Sequence, residues 1–165
     1  MRKKVVIFDW GDTVMRDFSE FSGPMVDWPR VEIIDGIEES LALISSQFIT
    51  CLASNAGNSN AELMGLALER VGIRGYFTHL FTSKELGYNK PDSNFFKEII
   101  SRIGVNPSEC IMIGNDYERD IVSSKMAGME TILYTEKRIE EPKQLADFVI
   151  RSMNDLIHLL NTWGD

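Results

Sequence analysis

Basic residues are in short supply: 17 Lys and Arg stand against 25 Asp and Glu, for a formal charge of −8. A chain of that sign lacks the positive face that neutralises a phosphate backbone, so no nucleic-acid partner is expected. A phosphorylated small molecule needs only one local cationic site and stays open. Cysteine is scarce as well. Cys51 and Cys110 both lie in apolar runs, QFITCLAS and SECIMIG, and read as small buried hydrophobes of a reducing compartment, not as a disulfide or metal pair. The two histidines, His79 and His158, lack ligand spacing, which argues against zinc and against a histidine-based triad. No apolar run approaches the ~18 residues of a membrane span. The start, Met1-Arg2-Lys3-Lys4, is basic, but the apolar run behind it breaks at Asp9, too soon for a signal peptide, and no small-residue cleavage site follows. The expectation is a cytoplasmic chain that begins at Met1 and meets no membrane.

What is present is ordinary globular material. With 165 residues, 44% hydrophobic and 25% charged, the chain is expected to form one domain over 1–165. A domain of that size buries roughly 70% of its unfolded surface. Strand and helix patterns alternate along it. Strands are expected at 4–9, 48–54, 79–83, 110–114 and 130–134, with a short sixth at 147–150. Helices are expected at 38–46, at 61–71, from a cap at Asp92 or Ser93 to Ile103, at 117–127, and from a capping box of Ser152 and Asp155 to Leu160. Short apolar strands alternating with helices imply an α/β fold: a parallel, Rossmann-like sheet covered on both faces, three layers in all.

One stretch breaks the pattern. From Met15 to Val31 the sequence MRDFSEFSGPMVDWPRV has no clear period and contains Gly23, Pro24 and Pro29. A long irregular loop in a compact domain is more often functional than idle. Since it follows the Asp9 strand directly, it is expected to hang over the mouth of a site.

Ligands in such sheets bind beyond the carboxyl ends of the strands. There the sequence places Asp9 in VVIFDWGDTV, Ser54 and Asn55 in CLASN, Lys90 in GYNKPDSNFF, and Asn115, Asp116 and Asp120 in IGNDYERDIV. Any one of these has a bland reading as a cap, a turn or a surface charge. An acid, a hydroxyl, a lysine and an acid cluster falling in phase on four strand ends point to one pocket. Its chemistry fits phosphoryl transfer: a carboxylate nucleophile, a hydroxyl and a lysine for the phosphate oxygens, and acids for a hard cation.

Those four segments, in that order, resemble the motifs of the haloacid dehalogenase superfamily, and the resemblance covers nearly the whole chain. The first motif, Asp-x-Asp-x-Thr, corresponds to Asp9-Trp10-Gly11-Asp12-Thr13, a variant form. The second corresponds to Ser54, the third to Lys90 in Gly87-Tyr88-Asn89-Lys90-Pro91, and the fourth to Gly114-Asn115-Asp116 with Asp120. The resemblance implies a Mg²⁺-dependent phosphatase. In it Asp9 would be nucleophile and metal ligand, forming an aspartyl-phosphate. The Gly11 carbonyl would be a second ligand. Ser54, with Asn55 beside it, and Lys90 would bind phosphate, Lys90 also steadying Asp9. Asn115, Asp116 and Asp120 would hold the metal directly or through water.

The chain departs from that family in three ways. Gly11 stands where its phosphatases carry the acid/base Asp. Asp12 comes one position late, either as a residue that reaches the leaving group or as a turn residue suited to the left-handed conformation. Asn115 replaces a common Asp. In addition, neither the segment from Asp9 to Ser54 nor that from Ser54 to Lys90 has room for a cap domain, so a capless member is expected. The missing acid, worth ~10²–10⁴-fold in rate, leaves two readings. One is a slow or selective phosphatase acting on a small or macromolecular phosphoester. The other is a weak or inactive module that binds a phosphorylated ligand or a partner protein.

Overall fold

In the computed structural model, which describes residues 1–164, the strands are β1 (Val5–Phe8), β2 (Ile49–Ser54), β3 (His79–Thr82), β4 (Cys110–Gly114), β5 (Glu130–Tyr134) and β6 (Phe148–Ile150). They pair in parallel in the order β3-β2-β1-β4-β5-β6. β1 lies between β2 and β4, with Ile7 opposite both Cys51 and Met112. The chain thus grows outward in both directions from β1, and a crevice opens where the order reverses.

The central strands β1 and β4 are continuous apolar runs, buried throughout because both faces are covered. Side chains alternate across the sheet with the two-residue period of a strand. Val6, Phe8, Leu52, Ile111 and Ile113 pack on one face with Ile37, Leu41 and Ile44 of α1 (Ile37–Ser45), Met64 and Leu68 of α2 (Ala61–Arg70), and Leu156 of α6 (Asp155–Leu159). Val5, Ile7, Cys51, Ala53, Cys110 and Met112 pack on the other face, with Leu86 of α3 (Ser83–Leu86) and Phe95, Phe96 and Ile99 of α4 (Asn94–Ile103). This is the expected three-layer α/β/α fold, and no cap domain is inserted among the described residues. Both cysteines are free and fully buried, and burial pushes the Cys51 thiol up to about 12.

Local chemistry sets the helix ends. Asn60 Oδ1 accepts the Leu63 N–H at 3.0 Å, starting α2. Of the two candidate caps for α4, Ser93 holds the N-cap position without a side-chain bond, and Asp92 just before it supplies the acceptor, its Oδ1 taking the Asn94 N–H at 2.9 Å. Only half of the capping box at α6 forms: Asp155 accepts the Ser152 N–H, but the Ser152 hydroxyl takes the Asn154 N–H.

One larger difference lies after β4. In place of a continuous helix over 117–127 there is a wide π-turn, Tyr117–Val122, followed by the single turn α5 (Ser123–Met126). A wide turn adds a residue per loop of chain and re-aims side chains, and such turns are frequent at functional sites. Here Asp116 accepts the Arg119 N–H, and Asp120 points back to the Asp116 N–H at 3.1 Å. No helix among the described residues is long and apolar enough to cross a membrane.

The irregular loop is a closed excursion. Arg16 donates its N–H to Glu32 at 2.9 Å and Ile34 to Val14 at 2.9 Å, so its two ends are pinned together. Phe18, Phe21 and Trp28 pack on each other inside it, and the Trp28 indole donates to Gly23 O. Arg70 of α2 ties it down by donating to the carbonyls of Val26 and Trp28, both at 2.8 Å.

Candidate active site

Asp9 follows β1 directly, and its N–H still bonds Ile113 O at 2.9 Å, so its position is set by the sheet itself. Lys90 arrives from the segment after α3 and is almost fully buried. Its ammonium donates to Asp9 Oδ1 at 2.8 Å, Asp120 Oδ1 at 2.7 Å and Ala53 O at 3.1 Å, which uses all three of its protons. Burial alone would lower its pKa, but the carboxylates of Asp120 and Asp9 outweigh that and keep it charged. Asp120 is pushed upward by its own burial and by the nearby Asp9, against the pull of Lys90. One ammonium thus serves two buried carboxylates, and Asp120 is the acid left short of positive charge. Gly114 makes this possible, since a Cβ there would collide with the Asp120 carboxylate.

Thr13, fully buried, places its hydroxyl 3.3 Å from Asp9 Oδ2 and 3.3 Å from Asn115 Oδ1, drawing the two oxygens toward one point. Around them lies a cavity of about 240 Å³ lined by Asp9, Gly11, Asp12, Asp17, Ser54, Asn55, Lys90, Asn115, Asp116, Arg119 and Asp120. Every site residue singled out in the sequence is on that wall. Some are committed to particular partners. The Asn55 side chain donates to Lys90 O at 3.0 Å and accepts the Lys90 N–H at 2.8 Å, a two-point clamp that orients Lys90 and occupies the amide otherwise assigned to phosphate. Asp12 has φ +57°, the left-handed turn conformation, and its Oδ1 accepts the Asp17 N–H at 3.0 Å.

Two residues of the wall went unnoticed in the sequence. Arg119, in the π-turn, is a second cation of the pocket. Asp17, in the irregular loop, is exposed at the pocket's mouth, and its carboxyl is held above its ordinary value by crowding protein atoms and by the charges of Asp12 and Asp9.

Among the described residues no three carboxylate, imidazole or thiolate groups already form a metal cage. The donor set fits Mg²⁺ all the same. Five carboxylates line the pocket against two cations, an imbalance that would repel an anionic ligand unless a cation entered. Asp9, Asn115 and Asp116 offer hard oxygens, and Mg²⁺ takes one or two carboxylates and keeps several waters. Asp120 has one oxygen on Lys90 and the other on the Asp116 N–H, so it would support such an ion from outside the ligand set.

Residues 6–134 match the sequence profile of the haloacid dehalogenase-like hydrolases. The chain belongs to that family. Among curated relatives, the ribulose-1,5-bisphosphate 5-phosphatase of Halopiger xanaduensis is 35% identical over 118 residues, 72% of this chain and 48% of that protein. The glyceraldehyde 3-phosphate phosphatase of Methanothermobacter thermautotrophicus is 37% identical over 73 residues, 44% of this chain and 32% of that protein. This haloacid dehalogenase-like chain thus spans half or less of the length of those relatives. Among solved structures, the magnesium-bound HAD-hydrolase YfnB of Bacillus subtilis superposes with a TM-score of 0.81 at 17% identity, covering 98% of this chain and 100% of that one. That likeness speaks for the fold.

Proposed function

We propose that this haloacid dehalogenase-like hydrolase is a Mg²⁺-dependent phosphatase that transfers the phosphoryl group of a phosphoester to Asp9 and then to water. The observation that carries this reading is the buried ammonium of Lys90 bonded at once to Asp9 and Asp120. Such an arrangement is poor structural economy, since a buried charged triad can often be replaced by apolar groups without loss of stability. As a device that fixes one nucleophilic carboxylate at a pocket floor, it makes chemical sense. The relatives named as phosphatases support the same reaction class.

In this reading Lys90 holds Asp9 through Oδ1 and leaves Oδ2, flanked by Thr13, free to act. Ser54 and Arg119 bind the phosphoryl oxygens and Lys90, whose three protons are already given to protein oxygens, attracts them by its charge, while Asn55 keeps Lys90 in place. Asp9, Asn115 and Asp116 would hold the metal, with Gly11 at the same wall. When bound, it would neutralise the repulsion between the phosphate and the carboxylates that surround it. Asp12 serves the turn. The alternative of a binding module rests on Gly11, which presents no side chain to a leaving group.

The test is hydrolysis of p-nitrophenyl phosphate. Turnover is expected with Mg²⁺, is expected to vanish on chelation, and is expected to return when Mg²⁺ is added back. No turnover with Mg²⁺ over a broad pH range would favour the binding module.

A further inference from the structure

A second cleft, of about 270 Å³, opens beside the phosphoryl pocket. The irregular loop forms one side of it through Gly23, Met25 and Trp28, with Trp10 alongside, and Asn58 and Ser59 lie on the segment after β2. Gly11, Asp17, Ser54 and Asn55 line both cavities. If phosphate sits between Ser54 and Lys90, the remainder of the ester has this neighbouring cleft to enter. The bond that breaks then crosses the seam between the two cavities. Asp17 is the one acid on that seam.

Three features fit Asp17 for this position. Its carboxyl accepts no hydrogen bond from any described residue. Its backbone is fixed where the Asp12 carboxylate takes its N–H at 3.0 Å. Its Oδ2 lies 3.4 Å from the point where a Cβ of residue 11 would sit, so the Asp17 side chain borders the space left by Gly11. A carboxyl from six positions along the chain thus stands beside the ground that residue 11 leaves empty.

From this geometry we infer that Asp17 is the catalytic acid for leaving-group departure, and that the Trp10–Trp28 cleft holds the leaving group. The inference rests on the phosphatase reading above. As Asp9 forms its bond to phosphorus, the phosphorus–oxygen bond to the leaving group breaks, its electron pair stays on that oxygen, and the Asp17 carboxyl gives that oxygen its proton. A water then attacks the aspartyl-phosphate and gives its proton to the Asp17 carboxylate. The acyl phosphate bond breaks, returning its electron pair to Asp9, and inorganic phosphate leaves. Both residues end as they began.

An acid of this kind matters most when the leaving group is poor. The experiment compares p-nitrophenyl phosphate with phenyl phosphate, using the wild-type chain, Asp17→Asn, and the double variant Gly11→Asp with Asp17→Asn, each checked for wild-type-like melting. Asp17→Asn is expected to lower kcat/KM, which reports the step in which the leaving group departs, for both substrates, phenyl phosphate by at least about 10²-fold and p-nitrophenyl phosphate by at least tenfold less than that. The double variant is expected to recover part of the phenyl phosphate rate, because the residue 11 backbone is outside the left-handed region and a new side chain there meets Asp17 only at ordinary contact distance. Equal loss of kcat/KM on both substrates without rescue would remove Asp17 from the leaving-group step and overturn the assignment. So would no loss on either. Failure of the phosphatase reading looks different: the wild-type chain itself turns over neither substrate, and the Asp17 assignment falls with it.

Discussion

Asp9→Asn is expected to lower phosphatase turnover by on the order of 10⁴-fold or more, the scale seen when a covalent nucleophile is removed, while the protein melts no lower than wild type. The two halves of that expectation have separate causes. An amide at position 9 cannot form the acyl phosphate, so the reaction loses its first step. The fold loses little, because Lys90 keeps Asp120 at 2.7 Å and Ala53 O at 3.1 Å. One negative charge also leaves the neighbourhood of the crowded Asp120 carboxylate, which relieves repulsion already present in the wild-type chain. Activity assays beside thermal melts check both halves. Turnover near wild type would exclude Asp9 as nucleophile. A large fall in melting temperature would show that Asp9 serves the fold as much as the chemistry.

Lys90→Met acts in the opposite sense and is expected to cost about 3–5 kcal/mol, the typical penalty for leaving a buried charge without its partner. For a chain of this length that corresponds to a fall in melting temperature of roughly 10 °C. The loss should depend on pH. Without the ammonium, burial and Asp9 raise the Asp120 carboxyl further, so the folded state holds a proton there more tightly than the unfolded chain does. A carboxyl whose pKa is raised by folding favours the folded state below its unfolded value near 4 and loses that benefit as pH rises through the folded value. The deficit of Lys90→Met is therefore expected to be largest at neutral and alkaline pH and to shrink on acidification toward the ordinary carboxylate range. Melting curves from pH 8 down to pH 5 read this directly. A deficit independent of pH would mean that the cost comes from packing and not from unpaired charge.

Much of this site could be read in the sequence because a parallel sheet converts strand phase into position. Each of Asp9, Ser54 and Asn115 follows an apolar run, and once those runs pair side by side their ends must meet. Lys90 is less obvious, since nothing local says that a lysine after α3 is buried. Its place depends on the two-point clamp from Asn55, a contact across 35 positions that no local pattern contains. The π-turn at Tyr117–Val122 was hidden for a similar reason: its sequence suits an ordinary helix, and within the turn Asp120 bonds the Asp116 N–H and Lys90, the latter a contact across 30 positions. The irregular loop is legible in the sequence as part of the site mouth, but nothing in its aperiodic pattern says which of its residues faces the pocket. That choice is made by Asp12 in its left-handed turn and by Arg70 holding the far side of the loop from another helix. Periodic elements carry their burial in their spacing. An aperiodic loop gets its orientation from distant partners.

The account stands on a covalent phosphoryl group at Asp9, and the direct measurement is peptide mass analysis of the chain quenched in acid during Mg²⁺-supported turnover of p-nitrophenyl phosphate. A phosphoryl adduct is expected on the peptide that contains Asp9, removed by mild base as an acyl phosphate should be, and absent from Asp9→Asn. Turnover with no adduct on that peptide, or an adduct mapped to another residue, would contradict it.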